Sequence, residues 1–217
     1  MTDFLVVVKA LSEFNKKDID QGKTPQDIYK ICSCIRNTFC LSYFIRKTNN
    51  FYLFIEQNQI IIKFVGKTLR YLGPDERSQS LLLAKALKIK NHNIGKRNGE
   101  WIKSTPGILV TQITDRHNIL EFLVNLDNKF IIIFDNKENS NIFLDIEPEI
   151  LKKIDNSLLI FTINELNDKD IELNQYMRNY KNLFKYTLPK IKTVEDKILY
   201  VNFQIDRFKL WNNNEEL

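Results

Sequence analysis

The sequence predicts an α/β domain built on a mostly parallel sheet. Two observations carry this. Short strand-like apolar runs alternate with helical patterns through the second half of the chain. One run, Phe130 to Phe134, is apolar at every position, as in strands buried on both faces. The 217 residues show no internal repeat or linker, so one domain spanning 1–217 is expected.

The elements follow in order. Phe4 to Lys9 reads as a buried strand and Asn15 to Lys23 as a polar loop. Thr24-Pro25 supplies an N-cap and a first-turn proline. Ile28, Ile31, Cys32, Ile35 and Phe39 then recur at helical spacing, which predicts a helix to about Phe44. Phe51 to Glu56 and Gln59 to Phe64 form a hairpin. Gly73-Pro74-Asp75-Glu76-Arg77 opens a helix running to about Leu87. Lys88 to Lys103 is polar and basic and reads as a surface loop. Strands are expected at Ile108 to Thr111, Phe130 to Phe134, Leu158 to Phe161 and Phe184 to Thr187. Helices are expected at Asn118 to Val124, Pro148 to Ile154, Asp168 to Lys181 and Thr193 to about Phe208.

With 43% apolar and 27% charged residues the chain is not disordered. No apolar run approaches the roughly 18 residues of a membrane span, and the N-terminus lacks a basic leader, so a cytoplasmic protein without membrane contact is expected. Charge is unevenly placed. Residues 1–107 hold 18 Lys and Arg against 9 Asp and Glu, net +9, whereas residues 108–217 hold 14 against 18, net −4. A basic half is suited to a polyanion such as nucleic acid, or is an ordinary solvated surface. All six glycines (Gly22, Gly66, Gly73, Gly95, Gly99 and Gly107) fall in the first 107 residues.

The inventory removes many chemistries. His92 and His117 lie far apart, outside metal-ligand spacings, and no metal is expected. Cys32, Cys34 and Cys40 share one predicted helix and read as apolar filler. No Walker loop, nucleophile elbow or dinucleotide fingerprint is present. Three features remain. Gly73-Pro74-Asp75-Glu76-Arg77 is either helix capping or an anion site with Asp75 as a proton acceptor. Ser104-Thr105-Pro106-Gly107 is by itself a turn carrying two hydroxyls. Arg36, Arg46, Lys47, Lys63, Lys67 and Arg70, interleaved with Tyr43, Phe44 and Tyr71, are either a solvated face with core aromatics or cations beside base-stacking rings.

Taken in order, Ile62-Lys63-Phe64-Val65-Gly66, Pro74-Asp75-Glu76-Arg77, Lys85-Ala86-Leu87-Lys88 and Ser104-Thr105-Pro106-Gly107-Ile108 resemble the archaeal TrmY family of SPOUT methyltransferases. Leu41-Ser42 and Ile45-Arg46 add to the likeness, although the family's His-Asp pair between them is Tyr43-Phe44 here. The match covers about residues 1–112. Beyond them it is one of pattern: the family's second cofactor loop, glycine-bearing there, follows Leu158 to Phe161 as Thr162-Ile163-Asn164, and its Leu-Ser-Pro loop is Thr187-Leu188-Pro189.

The resemblance implies a SPOUT-like sheet with helices on both faces and a C-terminal trefoil knot. It implies N1-methylation of pseudouridine at position 54 in the tRNA T-arm, with S-adenosylmethionine as methyl donor and a homodimer as the working unit. Asp75 and Arg77 are the implied catalytic residues. Ile133, Thr162, Leu188 and Pro189 would line the cofactor, and Arg36, Arg46, Lys63, Lys67 and Ser104 would contact RNA. The last helix is the candidate dimer interface, or else covers its own sheet. Glycine-free cofactor loops leave open an RNA-binding protein that has lost its cofactor, and an rRNA pseudouridine N1-methyltransferase is a further reading that differs only in substrate.

Overall fold

The computed structural model describes residues 1–93, 99–113, 130–135, 141–142, 148–154, 156–162 and 182–214. The strands are β1 (Thr2–Val8), β2 (Asn49–Ile55), β3 (Ile60–Val65), β4 (Ile102–Thr105), β5 (Ile108–Gln112), β6 (Phe130–Asp135), β7 (Asn141–Ile142), β8 (Ser157–Thr162) and β9 (Leu183–Thr187). The described helices are α1 (Lys16–Asp20), α2 (Gln26–Phe39), α3 (Glu76–Asn93), α4 (Pro148–Ile154) and α5 (Val194–Asn214). Both halves of the chain feed one nine-stranded sheet in the order β4-β5-β3-β2-β1-β8-β6-β9-β7. The run β2-β1-β8-β6-β9-β7 is parallel throughout, while β3 and β4 run against it. The expectation of a mostly parallel α/β sheet therefore holds.

β1 is central, and all seven of its residues are buried. Its alternate side chains feed two cores. Phe4, Val6 and Val8 join Phe51, Leu53, Phe134 and Phe161 beneath Ile31 and Ile35 of α2, Leu83 of α3 and Val201 of α5. Phe134 stacks on Phe161 at 4.7 Å, and Phe161 on Phe4 at 6.4 Å. Leu5 and Val7 face the other way, with Tyr52, Phe54, Ile61, Ile131, Ile133 and Ile160. The helices expected at 118–124 and 168–181 lie outside the described residues. Among the described residues no helix is long and apolar enough to cross a membrane.

Register defines two edges. Thr2 pairs with Asn49, and Val8 with Ile55, so the parallel strands begin at one edge and end at the other. Antiparallel β3 returns to the first, where Val65 lies opposite Asn50. The first is here called the amino edge and the second the carboxyl edge. A strand of seven residues at about 3.3 Å per residue separates them by about 20 Å.

Several expectations are corrected. Part of the expected loop 15–23 is helical: Asn15 and Asp18 form a capping box that satisfies the first N–H groups of α1. Thr24 does not cap α2. Its hydroxyl is buried without a partner, and Pro25 is the N-cap with no side-chain hydrogen bond. α2 stops at Phe39 rather than Phe44, because Cys40 turns extended (ψ 132°) and bridges to Ile45 across a reverse turn. α3 runs on to Asn93, and the end of the expected loop is strand β4. β4 is an edge strand with Lys103 exposed, which needs no apolar alternation. α5 is also longer than expected and ends at Asn214.

Candidate functional site

The segments of the sequence motifs converge at the amino edge. Val65 N–H donates to the Gly107 carbonyl at 2.8 Å, and Arg70 N–H to the Pro106 carbonyl at 3.3 Å. Gly66 N–H donates to the Asn49 carbonyl at 3.1 Å. These crossings need glycine. A Cβ on Gly66 would collide with the carbonyl oxygens of Asn49 and Arg46, and one on Gly107 with the backbone of Leu69. Gly107 also has φ +81°, a left-handed conformation that side chains disfavour.

Asp75 and Arg77 open α3 on the same side. Asp75 Oδ1 accepts the Ser78 N–H at 2.8 Å, so the carboxylate caps the helix. Gly73 N–H donates to Ser78 Oγ at 2.7 Å and Ser78 Oγ–H to the Tyr71 carbonyl at 3.1 Å, which pins the approach to the helix. Gln79 Nε2 donates to the Gly73 carbonyl at 3.1 Å. Arg77 Nη2 lies 2.8 Å from Asp20 Oδ1, an exposed ion pair with a residue on α1 that the sequence reading did not single out. Its only signal was the Asn15–Asp18 capping box.

The predicted RNA contacts lie in unlike settings. Lys67 is exposed in the turn after β3. Arg36 is half-buried near the end of α2, with Nη2 3.4 Å from Ser33 Oγ. Arg46 pairs with Asp206 of α5, and its side chain is 13% exposed, so it ties the amino edge to the last helix. Lys63 projects toward the second core, with its Nζ 5.0 Å from the Tyr52 ring centroid and 5.7 Å from that of Trp101. Beside it Asn50 Nδ2 donates to the buried Asp3 carboxylate at 2.8 Å, and burial raises the Tyr52 hydroxyl well above its usual range, with Asp3 adding to the effect. Ser104 is half-buried on β4. Lys47 and Arg70 are exposed cations at the same edge, and Lys47 Nζ donates to the Leu69 carbonyl at 3.3 Å.

The cysteines fit the filler reading. Cys32 and Cys34 are buried, and burial pushes Cys32 up to about 11 and raises Cys34 further from reactivity. Cys40 is half-buried at the end of α2, and burial raises its thiol too.

The four predicted cofactor residues lie at or near the carboxyl edge, Ile133 and Leu188 in the cores on opposite faces of the sheet. Thr162 ends β8 one position past Phe161, which pairs with Phe134 of β6. Thr187 ends β9 opposite Asp135, and buried Leu188 and exposed Pro189 follow. Ile133 is buried two positions before the end of β6. In an open parallel sheet the carboxyl ends of the strands are where ligands bind. Asp75 and Arg77 are not among them: within one chain they lie on the side of the opposite edge. A separate cavity of about 340 Å³ is lined by Leu11, Phe14, Ile55, Ala84 and Leu87 and includes none of the predicted site residues.

Residues 1–151 match a family described as "Putative SAM-dependent RNA methyltransferase". A tRNA (pseudouridine(54)-N(1))-methyltransferase of Methanocaldococcus jannaschii is 33% identical over 142 residues, covering 64% of this chain and 67% of the relative. The protein of the same name from Methanococcus vannielii is 30% identical over 174 residues, covering 73% and 84%. The crystal structure of Archaeoglobus fulgidus Nep1 bound to S-adenosylhomocysteine superposes with a TM-score of 0.57 at 11% identity, covering 96% of this chain and 99% of that one. At that identity the last match speaks to the fold alone.

Proposed function

We propose, on the premise that this chain belongs to the SAM-dependent RNA methyltransferase family it matches, that it methylates N1 of pseudouridine at position 54 in the T-arm of tRNA, in the cytoplasm, as a single-domain enzyme. The relatives' names support the substrate. The observation that carries the reading is the convergence of Gly66, Asp75, Arg77 and the Ser104–Gly107 turn beside the exposed cations of one sheet edge.

The donor set at the other edge fits S-adenosylmethionine. Thr162 offers a half-exposed hydroxyl and the ends of β6, β8 and β9 offer backbone N–H and C=O groups, which any residue type supplies, while Ile133 and Leu188, buried in the cores on opposite faces of the sheet, fix those strand ends from beneath. Bound there, the cofactor supplies a methyl group on a sulfonium centre. The chain must then position the base and remove its proton. N1 of pseudouridine carries a hydrogen, and this reading assigns its acceptance to Asp75, through the second carboxylate oxygen beside the one that caps Ser78. Arg77 steadies the negative charge that develops on the base or holds a neighbouring phosphate. Lys67, Arg36 and Ser104 contact the RNA backbone, while Arg46 and Lys63 shape that surface through Asp206 and the Tyr52 and Trp101 rings.

Two copies complete the site. With the edges about 20 Å apart, Asp75 of one protomer would meet the cofactor edge of the other. The last helix offers a surface for this: Leu199, Phe203 and Leu210 are 53%, 56% and 64% exposed, while its Ile198, Val201 and Ile205 face the protomer's own core. On this reading α5 both covers its own sheet and meets the partner copy. The C-terminal trefoil knot belongs to this reading as the finer part of the fold, built over the parallel strands β8, β6 and β9.

The test is incorporation of labelled methyl from S-adenosylmethionine into tRNA carrying pseudouridine or uridine at position 54, with the product nucleoside identified by mass spectrometry. The reading predicts N1-methylpseudouridine from the first RNA only. RNA binding without transfer would replace it with a cofactor-free RNA-binding protein, and transfer to rRNA alone would change the substrate.

A further inference from the structure

We propose that Tyr43, Phe44 and Tyr71 form a platform on which unpaired nucleotides of the RNA stack, with Lys47, Lys67 and Arg70 holding the adjoining phosphates. The inference rests on the RNA reading of the amino edge and adds how that edge recognises its substrate.

The three rings are 93%, 69% and 76% exposed, although large aromatics are normally recruited to cores. Their exposure is built by the backbone. Tyr43 and Phe44 occupy the reverse turn after α2, closed by Leu41 N–H donating to the Phe44 carbonyl at 2.8 Å and by the bridge between Cys40 and Ile45. Tyr71 has φ +64°, a left-handed conformation that is costly for an aromatic residue. It is held there by Ser78, whose hydroxyl donates to the Tyr71 carbonyl while accepting the Gly73 N–H. The fold therefore maintains a strained backbone whose visible result is a ring turned to solvent.

The two turns adjoin. Cys40 Sγ lies 3.9 Å from the Gly73 carbonyl, and Lys47 Nζ donates to the Leu69 carbonyl. Segments 40–48 and 66–73 carry the exposed cations Lys47, Lys67 and Arg70 and no Asp or Glu, their fourth cation, Arg46, being paired with Asp206 of α5. That charge selects the occupant. A second copy docking this patch on itself about a twofold axis would set like charges together, whereas RNA brings phosphates to the cations and flat bases to the rings. A paired A-form helix hides the faces of its bases, so the platform reads unpaired, splayed nucleotides, as a loop presents.

The test measures equilibrium binding of the full chain to a T-arm hairpin and to a fully paired duplex of equal length, each over a range of salt. A double variant Tyr43→Ala, Phe44→Ala and a single variant Tyr71→Asn, which tolerates the left-handed backbone, should each weaken hairpin binding about tenfold to a hundredfold. Duplex binding should stay within about twofold and the salt slope should not change, since no charge is removed. Tyr71→Phe should bind as the wild type does. Lys47→Ala should weaken both RNAs and lower the slope by about one. Equal losses on hairpin and duplex, or no loss on either, would overturn the platform. So would a fall in oligomeric mass in the aromatic variants, which would identify the patch as a contact between copies. Wild-type protein that binds neither RNA would instead remove the RNA reading itself, so the two failures are distinguishable.

Discussion

The two edges of the sheet solve different problems. At the amino edge, chain segments cross backbone to backbone, and Gly66 and Gly107 sit where a single Cβ would strike a neighbouring main chain. At the carboxyl edge the strands end in Thr162, Thr187 and Leu188-Pro189, with no glycine between residue 108 and the C-terminus. The difference teaches where residue identity is forced. Close backbone packing admits one residue type, whereas an edge that would offer a ligand its own N–H and C=O groups admits many. The motif glycines are thus parts of the scaffold, and the catalytic candidates stand beside them at the start of α3, Asp75 just before it and Arg77 in its first turn.

The largest effect should come from Asp75→Asn. Asparagine still caps Ser78 but accepts no proton, so kcat should fall about a hundredfold or more while the melting temperature stays put. Unchanged turnover would reduce Asp75 to a cap. Gly107→Ala comes next, as it meets both a left-handed φ and the Leu69 backbone. A loss of about 3 kcal/mol in denaturant unfolding is expected, and a neutral result would remove the contrast between the edges. Phe203→Glu should dissociate the proposed dimer and abolish transfer with little change in protomer fold, read by analytical ultracentrifugation.

Smaller effects remain. Asp20→Ala removes the exposed partner of Arg77 and should cost less than about 1 kcal/mol, leaving any larger change in kcat as evidence that the pair orients Arg77. The buried thiols set an alkaline limit. The Cys32 thiol is raised from 9.0 to about 11 in the folded chain, so its stabilising contribution is full below pH 9 and disappears as pH rises through about 11. Thermal unfolding against pH should show this decline, weakened in Cys32→Ala.

Local signals carried the elements further than the site. Helix Pro148–Ile154 and the strand at Phe130 were readable because proline, periodicity and an unbroken apolar run act within a few residues. The end of α2 was not, since Leu41 and Phe44 extend its apolar spacing although Phe44 points to solvent. Nor was α1, whose polar residues are organised by a capping box, or β4, an edge strand that needs no pattern. Within the site, Asp75 could be placed at a helix start, but the pairing of Arg77 with Asp20 and of Arg46 with Asp206 joins residues 57 and 160 positions apart. Such partners are invisible to spacing.

The most direct test of a site divided between two edges is complementation. Asp75→Asn and Thr162→Trp, the latter filling the cofactor edge, are each assayed for methyl transfer to pseudouridine-containing tRNA, alone and after mixing with subunit exchange. Each variant alone should be inactive. The mixture should recover about a quarter of wild-type activity, because half the dimers are then mixed and carry one intact composite site. Dimers that exchange subunits yet stay inactive would contradict the account and place both halves of the chemistry within one protomer.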